Sequence, residues 1–167
     1  MTKEEIADLF GYDKWATDRT LEAMSSVPSE VYLRDLHSSH GGIHGTLVHI
    51  YGASLAWLRR WKGVSRAALT PVTETRDLPT LKAAWGRYYE ELQEYLAGVE
   101  DSTMARSLAY TDLRGNPHAE PLYQQMQHVA NHASYHRGQL VTMMRQVDAK
   151  PVSTDLIAFY REKQGRG

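Results

Sequence analysis

Apolar residues recur with the period of an α-helix in four long stretches of this chain, separated by polar segments that carry prolines and glycines. In the first, residues 3–24, Ile6, Leu9, Phe10, Trp15, Leu21 and Met24 form one apolar stripe. Thr2 followed three residues later by Glu5 reads as a capping box at its start, and Ser26, Pro28 and Ser29 mark its exit. A second helix starts at Ser39 or Gly42 and runs to Lys62, burying Ile43, Leu47, Ile50, Leu55, Leu58 and Trp61, with Gly63 as its stop. Residues 65–76, polar and containing Pro71, read as a long connection. A third helix runs from Pro79 to Ala97, capped by Asp77 and ended by Gly98, with Leu81, Trp85, Tyr88, Leu92, Tyr95 and Leu96 facing inward.

The helical period breaks between Ser107 and Pro121. There the alternation Leu108, Tyr110, Asp112 ahead of Arg114-Gly115-Asn116-Pro117 suggests a short hairpin or an ordered loop. The fourth helix begins near Pro121, a residue suited to a first helical position, and runs to about Val147 over Leu122, Met126, Val129, Ala133, Leu140 and Met144. After Pro151, Ser153 caps a short terminal helix whose Leu156, Ile157, Phe159 and Tyr160 need cover. Four amphipathic helices and one interrupting loop predict an all-α fold, a four-helix bundle forming a single domain over residues 1–167.

Composition narrows what such a bundle does. A chain of 167 residues, 42% hydrophobic and 23% charged, is long enough to bury one core. Its formal net charge of −1, with scattered basic residues, gives no electrostatic reason to expect a nucleic acid or an anionic membrane as partner. There is no cysteine, which removes disulfides, thiolate metal sites and a cysteine nucleophile together, so any metal site is built from nitrogen and oxygen. No apolar run approaches the ~20 residues of a membrane span, and the first residues, Met1-Thr2-Lys3-Glu4-Glu5-Ile6, lack the apolar centre of a secretory signal, so a cytoplasmic location is expected. Trp57, Trp61 and Trp85 are read as not all internal, which would leave an aromatic surface for self-association.

The sharpest chemical feature is the distribution of eight histidines. His37, His40, His44 and His49 cluster around the start of the second helix, and His128, His132 and His136 stand four apart on the fourth. Residues at i and i+4 share a helix face with Cβ atoms about 5–6 Å apart, so two successive imidazoles converge on one ion. A pair on the fourth helix plus one histidine from the second would supply the three ligands of a catalytic zinc site, leaving a position open. The spacing is equally compatible with surface or hydrogen-bonded core histidines. Apolar neighbours favour the metal reading, since an unpartnered buried imidazole is penalised, and they surround His49 as well. No H-E-x-x-H, E-x-x-H, G-x-S-x-G, G-x-x-x-x-G-K-S/T or G-x-G-x-x-G pattern occurs. Gly41, Gly42 and Gly45 read instead as flexibility and close packing at a helix start.

The run Asn131-His132-Ala133-Ser134-Tyr135-His136-Arg137-Gly138-Gln139 resembles the N-H-x-x-Y-H-R-G-Q segment of the DinB/YfiT-like family. Leu9 to Ala16, Gly42 to Ile50 followed by Trp57-Leu58-Arg59-Arg60, and Pro151 to Tyr160 resemble that family's first, second and terminal segments. The resemblance implies a four-helix bundle with a long crossover between helices two and three, a homodimer, and a divalent metal held by His49, His132 and His136. Zinc or nickel leads, with iron and manganese also admitted. His128, a turn earlier, matches a position that is not usually a ligand, and His40 and His44 are expected at the rim or surface. Some relatives with this triad use low-molecular-weight thiols, as mycothiol-dependent isomerases or bacillithiol transferases. The expected function is therefore a metal-dependent hydrolase or thiol transferase acting on a small electrophile in a stress or damage response. A non-catalytic metal-binding bundle is the alternative. Glu120 and Asp112 are candidate bases; Tyr12, Tyr135, Asn131 and Gln139 are candidate supporting or substrate groups, with ordinary aromatic packing the alternative for the two tyrosines; and Arg137 is read as a structural ion pair or a cap on a neighbouring helix.

Overall fold

Thr2 opens the first helix reciprocally: in a computed structural model that describes residues 1–64 and 75–165, its hydroxyl accepts from the Glu5 N–H, and the Glu5 carboxylate accepts from the Thr2 N–H at 2.8 Å. The elements in chain order are α1 (Lys3–Met24), α2 (Ser29–Tyr32), α3 (Ile43–Trp61), α4 (Leu78–Ala97), α5 (Asp101–Met104), β1 (Ser107–Thr111), β2 (Pro117–Pro121), α6 (Leu122–Gln146) and α7 (Leu156–Lys163). Asp77 caps α4 through the Thr80 N–H at 2.8 Å, and Gly63 follows α3 with φ +89°, the left-handed conformation a glycine stop adopts freely. Most of the connection predicted at residues 65–76, residues 65–74, lies outside the described residues.

The four long helices match the apolar stripes. α3 packs against α4 and α6, and α1 packs against the same two, so α1 and α3 stand diagonally across the bundle. The core runs through Ile6, Phe10, Leu47, Leu58, Trp85, Tyr88, Met126 and Leu140. Of the three tryptophans expected not to be all internal, Trp61 and Trp85 are buried and Trp57 is partly exposed. The hairpin forms antiparallel with Leu108 opposite Glu120 and Tyr110 opposite His118. Asp112 closes its turn by accepting from the Arg114 and Asn116 N–H groups at 2.9 and 2.8 Å.

Three local expectations are corrected. Pro121 belongs to β2 and precedes the fourth helix, because it pairs with Ser107 before the helical bonds begin. Asp155, not Ser153, stands at the N-cap of α7; the Ser153 hydroxyl is turned to the Asp155 carboxylate at 3.0 Å. In α7, Phe159 finds cover between the Tyr12 and Trp15 rings, whereas Ile157 stays 56% exposed. α2 and α5 are four residues each, too short to show a helical period in sequence.

Candidate metal centre

His49 stands in the second turn of α3, and His132 and His136 lie one turn apart on α6, the helix α3 packs against. The fourth contributor is a surprise. Because α1 and α3 are diagonal, the chain between them crosses the bundle end, and its last residues bring His40 over His49. This loop is held by its own backbone: Leu36 N–H donates to Gly41 O at 2.7 Å, and Gly41 N–H donates to Ser38 O at 3.0 Å. A Cβ on Gly42 would overlap the Arg34 carbonyl, and one on Gly45 would overlap the His40 carbonyl. The two glycines let the loop lie directly on the first turn of α3, the close packing expected of them.

Four imidazoles therefore meet. The Nε2 atoms of His49 and His132 approach to 3.1 Å; the rings of His132 and His136 are 4.4 Å apart, and those of His49 and His136 are 4.6 Å apart. His40 stacks on His49 with centroids 3.7 Å apart and planes within 15°. Ligand nitrogens of His40, His49 and His136 all lie within 4.8 Å of one another. A tetrahedral ion at zinc–nitrogen distances holds its ligands about 3.4 Å apart, so the donor set and its spacing fit a divalent cation. The rings of the three histidines expected as ligands lie side by side, but the set whose nitrogens all converge within 4.8 Å is His40, His49 and His136, and His132 adjoins it through His49. His40 belongs with them rather than at the rim, a correction whose cause is the glycine-pinned loop, which carries no helical period for sequence reading to find.

Electrostatics favour neutral rings. Burial, followed by the nearby His40 and His136, lowers the His49 pKa to about 4; burial, followed by His136 and His49, lowers that of His132 to about 3. His40 is lowered by burial and then by His136. Neutral imidazole is the ligand form, so no proton has to leave either His49 or His132 at neutral pH.

Supporting groups sort by contact. His136 Nδ1–H donates to Gln139 Oε1 at 2.8 Å, which leaves Nε2 bare for an ion. Arg137, next in the chain, turns the other way into a buried ion pair with Asp13 at 2.7 Å, as expected of a structural group, and also donates to Ser134 Oγ at 3.0 Å. Tyr12 donates to Thr154 O at 2.9 Å, tying α1 to the segment before α7, and Tyr135 is 66% exposed with its ring 5.1 Å from His136. Asn131 is exposed. His128 is exposed and packs edge-on to Trp57, 5.9 Å from the His132 ring. His44 is buried, not at the surface as expected, with Nε2 2.9 Å from Thr75 O. Asp112 is committed to its turn, where the Asn116 side chain and N–H hold its carboxyl well below the usual range. Glu120 lines a 230 Å³ cavity with Trp57, Tyr110, Gln124, Gln125 and His128, and its Oε2 is buried without a partner among the described residues.

The DinB family model matches residues 1–166. This chain belongs to the DinB family. Among DinB relatives, it is 23% identical over 154 residues to Protein DinB of Bacillus subtilis (strain 168), covering 88% of each chain. Its fold is similar to the crystal structure of a DinB-like protein from Bacillus cereus ATCC 10987, with a TM-score of 0.61 and 17% identity over 91% of this chain and 97% of that one.

Proposed function

We propose that this DinB-family chain is a metal-dependent enzyme in which His49, His132 and His136 hold a divalent ion, zinc or nickel ahead of iron or manganese. The ion would activate water or a low-molecular-weight thiol against a small electrophilic substrate. The observation that carries this reading is the 3.1 Å approach of two imidazole nitrogens drawn from helices that are 83 residues apart in sequence. Unpaired by an ion, one Nε2 must donate to the other; with an ion, both lone pairs point at one charge. Three neutral ligands leave a divalent ion its full charge, and it supplies a Lewis acid that makes water or a thiol nucleophilic at neutral pH.

The chain's own residues hold that site in place. Gln139 keeps the proton of His136 on Nδ1, and the Asp13–Arg137 pair anchors α6 to α1 beside it. The aromatic-walled cavity at Trp57, Tyr110 and His128 lies a turn from His132 and has room for a small organic molecule, with Glu120 as its carboxylate. In this reading the protein is a homodimer of the cytoplasm serving a stress or damage response, with no nucleic-acid partner. No helix among the described residues is long and apolar enough to cross a membrane.

Two measurements test it. Metal analysis of the purified protein should find stoichiometric ion that is lost in His49→Ala. The cobalt-substituted protein should change its absorption on titration with a thiol. Indifference of that spectrum to every thiol and anion, together with a sharp fall in Tm on chelation, would favour a structural ion instead. That second reading is supported by the closeness of His40.

A further inference from the structure

Building on that triad, we propose that His40 is a displaceable fourth imidazole of the ion: the loop before α3 closes the remaining position at rest, and an incoming anion or thiolate takes its place. The geometry is specific. His40 is stacked on His49 at 3.7 Å, its ring is 5.2 Å from that of His136, and its ligand nitrogen is within 4.8 Å of theirs. His132 would join the same ion from the His49 side, its Nε2 lying 3.1 Å from that of His49.

Displacement follows from how the four rings are held. His49, His132 and His136 are borne on long helices, and His136 is further oriented by Gln139. His40 sits on a loop, is half-buried, and is held by stacking on the His49 ring. Only His136 has an orienting acceptor, and of the other three rings His40 alone is carried on a loop instead of a long helix, so it is the least constrained of the set. The exchange would break one bond from the ion to an imidazole nitrogen and form one to the incoming anion, with no change of oxidation state and His40 leaving as a neutral imidazole. It reconciles a fourth imidazole beside the site with a site that admits a substrate.

The test compares wild type, His40→Ala and His40→Phe, each loaded with cobalt, by X-ray absorption and by azide titration. The phenylalanine variant keeps an aromatic ring on His49 without a ligand nitrogen, so it separates coordination from packing. Both variants should show one imidazole fewer than wild type and bind azide about tenfold or more tightly, because the anion no longer competes with a resident ligand. An unchanged imidazole count in both would overturn the proposal, as would a lowered count with unchanged azide affinity, or an effect in the alanine variant alone. His49→Ala separates this failure from that of the triad. If it loses the ion while the His40 variants match wild type, only the fourth ligand falls; if it keeps stoichiometric ion, the triad falls with it.

Discussion

Arg137 and Asp13, 124 residues apart in sequence, form an ion pair of 2.7 Å in which the side chains are 2% and 0% exposed. The pair joins α6 to α1 one residue beyond His136, and Tyr89 adds a hydrogen bond to the same carboxylate at 3.0 Å. Burying two charges is tolerable here because each offsets the other and the hydroxyls of Tyr89, Thr17 and Ser134 add contacts, although Arg137 Nε has no partner among the described residues; removing one charge strands the other in the core. Asp13→Ala or Arg137→Ala should each cost about 3–5 kcal/mol in urea unfolding, and a double substitution to leucine should recover part of that loss. Single variants with near-wild-type midpoints would show the pair to be inconsequential.

Gln139 acts on the ion only through His136. Replacing it by leucine removes the acceptor for Nδ1–H and frees the ring to rotate, so zinc affinity in chelator competition should fall about 10–100-fold. Gln139→Glu offers a stronger acceptor and should restore or tighten binding. The metal-free protein should unfold at nearly the same urea concentration in all three, since the side chain is only half-buried.

The metal-free protein should lose stability on mild acidification. His49 and His132 titrate near 4 and 3 when folded, because burial opposes their charge, against about 6.5 for an unfolded histidine. Between those values the unfolded chain binds protons that the folded chain refuses, so unfolding becomes easier as pH falls below about 6.5 and this contribution levels off below about 3. Above 6.5 the two groups are neutral in both states and contribute no slope. Urea midpoints measured from pH 8 to pH 4, for wild type and His132→Ala, should show a shallower acid decline in the variant.

Two glycines should respond in opposite directions. Gly45→Ala pushes a methyl group into the His40 carbonyl and should destabilise by about 1–3 kcal/mol. Gly138 lies inside α6, and an added Cβ would meet nothing within 4 Å, so Gly138→Ala should stabilise by about 0.5–1 kcal/mol through helix propensity alone. Thermal unfolding of the two metal-free variants decides both.

What sequence reading finds here is whatever repeats. The long helices carry a 3.6-residue stripe, the hairpin carries turn residues, and His132 and His136 are spaced for one helix face, so each was legible. Arg137 could be read as an ion-pair residue, but Asp13 could not be named, because their meeting depends on how α1 and α6 pack. His40 escaped for the same reason: its position is fixed by a backbone contact with Gly45 that no periodicity records. His44, read as a rim or surface group, is buried because the Thr75 carbonyl, 31 residues downstream, accepts a hydrogen bond from its Nε2–H.

His128 and His132 share a spacing and differ in surroundings, which makes them the cleanest comparison on α6. His132 is half-buried with its Nε2 against His49, whereas His128 is exposed and occupied by Trp57. If convergence of nitrogens rather than histidine count holds the ion, His132→Ala should lose zinc while His128→Ala retains it in full. The second variant should instead disturb the cavity it shares with Tyr110 and Glu120, and so weaken the binding of a small organic ligand there without changing metal content. Elemental analysis of the two variants, purified side by side, checks the distribution. Equal loss from both would mean that the α6 stripe binds metal along its length, and the cross-helix site would have to be abandoned.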